Sequence, residues 1–85
     1  MKKVVVHTAP ACSYCIRAKD LLQRKGIPFE EIKLTWDDGA AWDALEARSG
    51  MKTAPQIFIG DKCIGGYTEL ALMDQSGELE KALAT

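Results

Sequence analysis

Strand and helix signals alternate along the first part of the chain, and their order sets the topology that the chain can adopt. Lys3–His7 is a short β-branched segment that ends at a Thr-Ala-Pro turn, which predicts a buried strand. Ser13–Lys25 carries apolar residues at helical spacing, and Phe29–Leu34 alternates apolar and charged residues as a second strand does. A strand, a helix and a strand in this order predict a βαβ unit with a parallel pair of strands.

The apolar positions of these segments are predicted to face the core. On the first helix they are Cys15, Ala18, Leu21 and Leu22. On the second strand they are Phe29, Ile32 and Leu34. A further helix is predicted to begin at Asp37-Asp38 and to end at Gly50, with Trp42 and Leu45 facing the core.

The rest of the chain predicts a β-hairpin followed by helices. Gln56–Ile59 and Cys63–Gly65 are short apolar segments joined by a Gly-Asp-Lys turn. A third helix is expected from Tyr67 or Thr68 to Ser76, and a last short helix follows Gly77. The predicted order is therefore βαβα and then ββα with one additional short helix, an α/β fold in a single domain over residues 1–85.

Length, charge and cysteine count exclude several classes of protein. The 85 residues are 47% hydrophobic, which is enough for one small core. The net charge of −1, with no basic stripe, argues against nucleic acid as a partner. No apolar run approaches the roughly 20 residues of a membrane span, and the N-terminal apolar run is too short for a signal peptide, so a cytoplasmic protein is expected. Three cysteines, an odd number, do not fit a secreted disulfide framework.

Two cysteines three residues apart, Cys12 and Cys15, stand where the first predicted strand gives way to the first predicted helix. Residues at this spacing share a helix face, so the sulfurs can form a disulfide with little backbone movement. The first lies at the positive end of the helix dipole, where open N–H groups favour an anion. Cys12 is therefore predicted to be the nucleophilic thiolate, with a thiol pKa lowered from roughly 8.5 toward neutrality or below, and Cys15 the resolving thiol.

Each of these signals also has a simpler interpretation. Half of a zinc site would require Cys12 and Cys15 together with Cys63 and His7, because zinc prefers four ligands; no bound metal is expected. His7 is otherwise a strand-end residue and Cys63 a small residue of the hairpin. Pro55 is either an ordinary loop proline or a cis-proline that leaves the backbone of Ala54 free to pair with an extended peptide.

Three motifs in this order resemble the dithiol glutaredoxins over nearly the whole chain. They are Cys12–Cys15, Thr53–Ile59 and Gly65–Leu70. The resemblance implies a thioredoxin-like fold, a four-stranded mixed sheet with Lys3–His7 central, a cis peptide at Pro55, and glutathione as reductant. The glutathione contacts that it implies are Tyr14, Thr53, Ala54, Pro55, Gly66, Tyr67 and Thr68. The last three form a predicted helix N-terminus, which suits a carboxylate.

The sequence departs from the family pattern at three places. Ser13 stands where the family usually has proline, and the segment Thr8–Ala11 lacks the basic residue that often precedes the first cysteine. Lys52 is the hypothesised substitute for that charge. Thr68 and Glu69 stand where the family often has an acidic pair.

The sequence thus predicts a monomeric glutathione-dependent thiol–disulfide oxidoreductase that acts in cell redox homeostasis, with no tightly bound cofactor. Its partners would be glutathione and proteins carrying disulfides or glutathione mixed disulfides. Two alternatives stay open: a carrier that shares a [2Fe–2S] cluster between two copies through Cys12 and glutathione, and a thioredoxin-like protein reduced by a flavoprotein. Trp36 and Trp42 are interpreted as packing groups.

Overall fold

Helices and strands follow one another in the predicted order. The structure, a computed structural model, describes residues 1–84. Its elements are β1 (Val4–Thr8), α1 (Ser13–Arg24), β2 (Glu30–Lys33), α2 (Gly39–Ser49), β3 (Gln56–Ile59), β4 (Lys62–Gly65), α3 (Tyr67–Ser76) and α4 (Glu78–Leu83). The ends of these elements differ from the predicted ones by one or two residues, because the terminal residues of helices and strands are frayed. Within residues 1–84 no helix combines the length and the apolar character needed to cross a bilayer.

The four strands form one mixed sheet in the order β2-β1-β3-β4. β1 pairs in parallel with β2, as the βαβ unit requires, and antiparallel with β3. β3 and β4 form the antiparallel hairpin. The first strand is therefore central, as expected. The cysteine pair follows its C-terminal end and so lies near the middle of one end of the sheet.

Each face of the sheet carries its own apolar cluster. The larger cluster joins one face to α1, α3 and α4, and its buried members are Val4, Val6, Ala18, Leu21, Leu22, Ile27, Ile57, Ile59, Leu70, Leu79 and Leu83. The smaller cluster joins the other face to α2, and its buried members are Leu34, Trp42, Leu45 and Phe58. All four apolar positions predicted on α1 are buried, and so are both of those predicted on α2.

Ile32 is the apolar position that was predicted wrongly. Its side chain is 41% exposed, although it was expected to anchor the second strand. β2 is an edge strand, and α2 packs toward β4 at the opposite edge, so within residues 1–84 no helix packs closely over this part of β2. The neighbours on either side do reach the core, because Leu34 is buried in the smaller cluster and Phe29 packs against the larger one.

The ends of α2 are set by the residues that the sequence indicated. Asp38 is the N-cap, and its Oδ1 accepts a hydrogen bond of 3.1 Å from the Ala41 N–H. Gly50 ends the helix in the left-handed conformation, with φ of 76°, which glycine adopts without the penalty that a Cβ imposes. The helix end in turn fixes where the loop of residues 51–55 begins.

Candidate active site

Cys12 is the N-cap of α1. Its backbone is extended, with φ of −111° and ψ of 103°, and its Sγ accepts a hydrogen bond of 3.1 Å from the Cys15 N–H. The sulfur thus occupies the position where a serine or aspartate oxygen usually satisfies an open helix N–H. A negative charge on this sulfur would be stabilised by that hydrogen bond and by the positive end of the helix dipole.

The two sulfurs are bonded to each other and differ in access to solvent. Cys12 and Cys15 form a disulfide with Cα atoms 5.2 Å apart, within the usual range for such a bond. Cys15 is only 2% exposed, whereas Cys12 is partly exposed. An incoming thiolate or disulfide can therefore reach the sulfur of Cys12 far more easily than that of Cys15.

The loop before β3 lies against the exposed sulfur. The Ala54–Pro55 peptide bond is cis, which is the sharper of the two interpretations of this proline. The carbonyl oxygen of Ala54 lies 3.7 Å from the Cys12 Sγ, and in the reduced protein the thiol can donate a hydrogen bond to it. The Ala54 side chain packs against the smaller cluster, so α2 and the sheet hold this loop beside the sulfur.

Gln56, which the sequence analysis did not single out, fastens this loop to the sheet. Its side chain is fully buried, and its Nε2 donates to the carbonyl oxygens of Met51 at 2.9 Å and Thr53 at 2.8 Å. Its Oε1 is buried and has no protein partner among the described residues. The available signal was a polar residue opening an otherwise apolar strand, because such a residue needs buried partners.

We expect Gln56→Leu to lower the free energy of unfolding by about 2 kcal/mol, since it removes the donor to the Thr53 carbonyl and one donor to the Met51 carbonyl. For a domain of this size the melting temperature should fall by roughly 8 °C or more. Thermal unfolding followed by circular dichroism measures both. Gln23→Leu on the exposed face of α1 is the matched control, and equal melting temperatures for the two variants would contradict the role of Gln56.

The N-terminus of α3 lies close to the Ala54–Pro55 loop. The Gly66 N–H donates a hydrogen bond of 2.7 Å to the Glu69 Oε1, so this carboxylate is engaged in capping the helix. A Cβ on Gly66 would lie only 3.2 Å from the Pro55 carbonyl oxygen, which shows how closely this turn approaches the proline loop. At Gly65, with φ of 114°, a Cβ would lie 2.7 Å from the Glu69 Cγ, so glycine is required there.

Two tyrosine rings join α1 to α3 beside the cysteines. The Tyr14 and Tyr67 rings stack with centroids 5.9 Å apart and an interplanar angle of 15°. The Arg17 guanidinium lies 5.4 Å from the Tyr14 ring centroid, a distance that permits a cation–π interaction. The fold thus gathers Cys12, Tyr14 and Tyr67 with the Ala54–Pro55 loop, while Thr53 and Thr68 have exposed side chains.

Lys52, the hypothesised substitute for a missing positive charge, has acidic neighbours on α2. Its Nζ lies 3.2 Å from the Asp43 Oδ1 and 3.6 Å from the Glu46 Oε1. The hydrogen bond to Asp43, followed by the charge of Glu46, raises the pKa of Lys52. The ammonium is therefore present at neutral pH, and an incoming carboxylate would compete with two others for it.

His7 is buried next to the site and is held by the sheet. Its Nδ1 lies 3.3 Å from the Gln56 carbonyl oxygen, and its ring meets the Phe58 ring edge-on at 5.1 Å. Burial lowers the pKa of His7, so the ring is neutral at pH 7. The zinc interpretation required His7 and Cys63 to join the cysteine pair, and residues 1–84 contain no group of three or more His, Cys, Asp or Glu able to hold a metal.

A cleft of about 630 Å³ opens on the far side of the cysteines, between α1 and β2. Glu31 lies in its lining and accepts hydrogen bonds from the Thr8 hydroxyl at 2.7 Å and the Lys19 ammonium at 3.0 Å. The hydrogen bond from Thr8, followed by that from Lys19, lowers the pKa of Glu31, so the carboxylate is charged and already paired. The exposed sulfur therefore has open space on the side opposite the proline loop.

Comparison with known proteins identifies one family. The sequence model of the glutaredoxin family matches residues 4–64. A probable glutaredoxin of Synechocystis is 46% identical over 84 residues, covering 98% of this chain and 76% of that protein. The glutaredoxin of Pseudomonas aeruginosa is 40% identical over 84 residues and covers 99% of both chains.

Solved structures give the same result. A buckwheat glutaredoxin–glutathione complex superposes with a TM-score of 0.86 at 32% identity, covering 96% of this chain and 76% of that one. The solution structure of a glutaredoxin from Brucella melitensis gives 0.83 at 41% identity, covering 98% and 89%. The thioredoxin-like fold expected from the three motifs is confirmed.

Proposed function

The chain belongs to the glutaredoxin family of thiol–disulfide oxidoreductases, and from this we propose that it uses glutathione to reduce protein disulfides and glutathione mixed disulfides. The observation that carries the proposal is the asymmetry of the cysteine pair. One sulfur is partly exposed and accepts an N–H at 3.1 Å, and the other is 2% exposed behind it. The proposed setting is the cytoplasm, where the glutathione pool is reducing.

In the first step the Cys12 thiolate attacks one sulfur of the substrate disulfide. A bond forms between the Cys12 Sγ and that sulfur, the substrate S–S bond breaks, and the other substrate sulfur leaves as a thiolate. The N–H of Cys15 stabilises the attacking thiolate before the step and the departing one when the step runs in reverse. The cleft between α1 and β2 leaves room for the substrate chain.

The second step differs between the two substrate classes. With a protein disulfide, the Cys15 thiolate attacks the Cys12 Sγ, releases the second substrate thiolate and forms the disulfide present in this structure. Two glutathione thiolates then reduce that disulfide in succession, leaving glutathione disulfide and both cysteines reduced. With a glutathione mixed disulfide, the Cys12 thiolate attacks the glutathione sulfur and the substrate leaves as a thiolate. A second glutathione thiolate then attacks that glutathione sulfur, which releases the Cys12 thiolate and forms glutathione disulfide without Cys15.

Glutathione is proposed to lie across the Ala54–Pro55 loop. Three observations support this: the Ala54 carbonyl oxygen lies 3.7 Å from the Cys12 Sγ, Gly66 closely approaches the Pro55 carbonyl, and the stacked tyrosines wall the groove. The backbone of Ala54 would pair with the cysteinyl residue of glutathione as an added strand does. The open N–H groups of Tyr67 and Thr68 at the start of α3 would bind its γ-glutamyl carboxylate, together with the Thr68 hydroxyl.

Lys52→Ala tests whether this lysine contacts glutathione. An exposed charge pair contributes up to about 1 kcal/mol, so we expect the KM for glutathione to rise roughly two- to fivefold with kcat little changed. Steady-state kinetics with varied glutathione measure the effect. Lys81→Ala is the control, because Lys81 pairs with Glu78 on α4. An unchanged KM would remove Lys52 from the binding site.

The [2Fe–2S] alternative requires ligands that one chain does not gather. Since no group of three or more metal-binding side chains exists in the described part of the chain, a second copy and glutathione thiolates would have to complete the site. We expect the protein to act as a monomer without a cluster. Anaerobic reconstitution with iron, sulfide and glutathione tests this, because a brown dimer with visible absorbance would favour the alternative.

The proposed activity is tested with the purified protein, glutathione, glutathione reductase, NADPH and a small glutathione mixed disulfide. NADPH oxidation should depend on both the protein and glutathione. A flavoprotein thioredoxin reductase replacing glutathione and its reductase should give no turnover. Turnover only with that reductase would instead support the thioredoxin-like alternative.

A further inference from the structure

Trp36 is an exposed aromatic residue that is nevertheless fixed in place. Its side chain is 56% exposed, and its indole N–H donates a hydrogen bond of 2.9 Å to the Pro10 carbonyl oxygen. Its ring stacks on the Trp42 ring with centroids 5.2 Å apart and planes only 4° from parallel. Trp42 is itself buried and donates a hydrogen bond of 2.9 Å to the Thr35 carbonyl oxygen. The indole of Trp36 is therefore anchored to α2 through a buried ring.

The segment that receives this hydrogen bond leads directly into Cys12. Residues 9–11 connect β1 to the N-cap of α1, and Ala11 has φ of 55°, a conformation that residues with a Cβ rarely adopt. Among the side-chain hydrogen bonds within residues 1–84, the one from Trp36 is the only one that reaches the backbone of residues 9–11. An unfavourable backbone conformation beside a functional residue persists only where its surroundings hold it.

We propose that Trp36 is a positioning residue for Cys12, which it serves by holding the Pro10 carbonyl so that Ala11 stays left-handed and Cys12 stays the N-cap of α1. This inference rests on the proposed role of Cys12 as nucleophile. The inference also suggests how the thiolate is stabilised although Thr8–Ala11 has no basic residue. With no positive charge in that segment, stabilisation of the thiolate depends more heavily on the N-cap geometry, in which the Cys15 N–H lies 3.1 Å from the sulfur.

Trp36→Phe separates the hydrogen bond from the ring stack, because phenylalanine can still pack on Trp42 and has no N–H. The reduced variant is reacted with iodoacetamide at pH 6–9, and mass spectrometry of peptides gives the rate at Cys12. At the acidic end we expect alkylation about fivefold slower than in the parent protein, the scale of one net hydrogen bond. At the alkaline end, where the Cys12 thiol is largely ionised in both proteins, the rates should converge.

Ala11→Gly provides the decisive second arm, because glycine adopts a positive φ without the penalty of a Cβ. When Trp36→Phe is combined with Ala11→Gly, it should slow alkylation less than twofold relative to Ala11→Gly alone. An equal effect of Trp36→Phe with and without Ala11→Gly, or no effect of Trp36→Phe in the parent protein, would overturn the proposal. Leu72→Ala on α3, where the side chain is 60% exposed, is the control for loss of an exposed apolar group and should leave the rate unchanged.

Thermal unfolding of each variant shows that the compared proteins are folded under the assay conditions. Alkylation needs no glutathione, so this test gives its answer even if the glutathione-coupled assay fails. Conversely, the glutathione-coupled activity of the parent protein is decided without any Trp36 variant. The two proposals can therefore fail separately.

Discussion

Cys12→Ser should abolish both protein-disulfide reduction and deglutathionylation, with rates at least about a thousandfold below those of the parent protein. A serine hydroxyl at the same N-cap can accept the Cys15 N–H, so the fold and the helix cap should survive. What is lost is the thiolate, since an alcohol does not ionise near neutral pH and cannot form the mixed disulfide.

The glutathione-coupled assay measures this loss, with both a small mixed disulfide and a protein disulfide as substrate. Cys63→Ser is the matched control, because Cys63 is a partly buried residue of β4 that packs against the smaller cluster. It should retain activity within about twofold. A Cys12→Ser protein that keeps its activity while Cys63→Ser loses it would assign the nucleophile to β4 instead.

Cys15→Ser should divide the two reactions. In the proposed mechanism deglutathionylation needs only Cys12 and glutathione, so its rate should stay within a few-fold of the parent rate. Reduction of a protein disulfide should fall roughly a hundredfold, because resolution by a neighbouring thiol at high effective concentration is replaced by a bimolecular attack. The mixed disulfide between Cys12 and the substrate protein should accumulate.

Non-reducing electrophoresis and intact-protein mass spectrometry detect that mixed disulfide. The Cys12→Ser protein, incubated in the same way, should form none. A Cys15→Ser protein inactive toward both substrate classes would contradict the separate roles of the two cysteines. It would show that the buried Cys15 is also needed for the reactivity of Cys12.

The fold was predictable because its signals are local. Local patterns of a few residues indicate the type or the end of each element. Examples are the β-branched segment before the cysteines, the helical spacing from Cys15 to Leu22 and the Asp38 cap. Ile32 was misassigned because alternation shows which residues share a face and leaves open whether another layer covers that face. Coverage depends on the position of β2 at the sheet edge, which follows from the whole topology.

The geometry of the candidate site was predictable where its residues lie in one segment. Cys12 at the helix start and the glycine turn before α3 follow from neighbouring residues, and the cis peptide was one of two interpretations of Pro55. Gln56 donates to carbonyl oxygens only three and five positions earlier, but no motif marks that pairing, whereas the carbonyl partner of Trp36 is distant in the sequence. Trp36 was interpreted as a packing group, and its stack on Trp42 agrees with that, but its N–H reaches a loop 26 positions earlier.

The elements around the cysteine pair pack on both faces of the sheet. α1 belongs to the larger cluster, whereas the Ala54 loop and the tryptophan stack depend on the smaller one, which has only four buried members. Such a layer can open locally at lower cost than the whole molecule unfolds. A transient opening of α2 would then free the Ala54 loop and the tryptophan stack on either side of the sulfur and stop thiol exchange, while α1, α3 and α4 stayed folded. Amide hydrogen exchange should therefore be faster in α2 than in those three helices, and turnover should fall at a temperature below that of global melting.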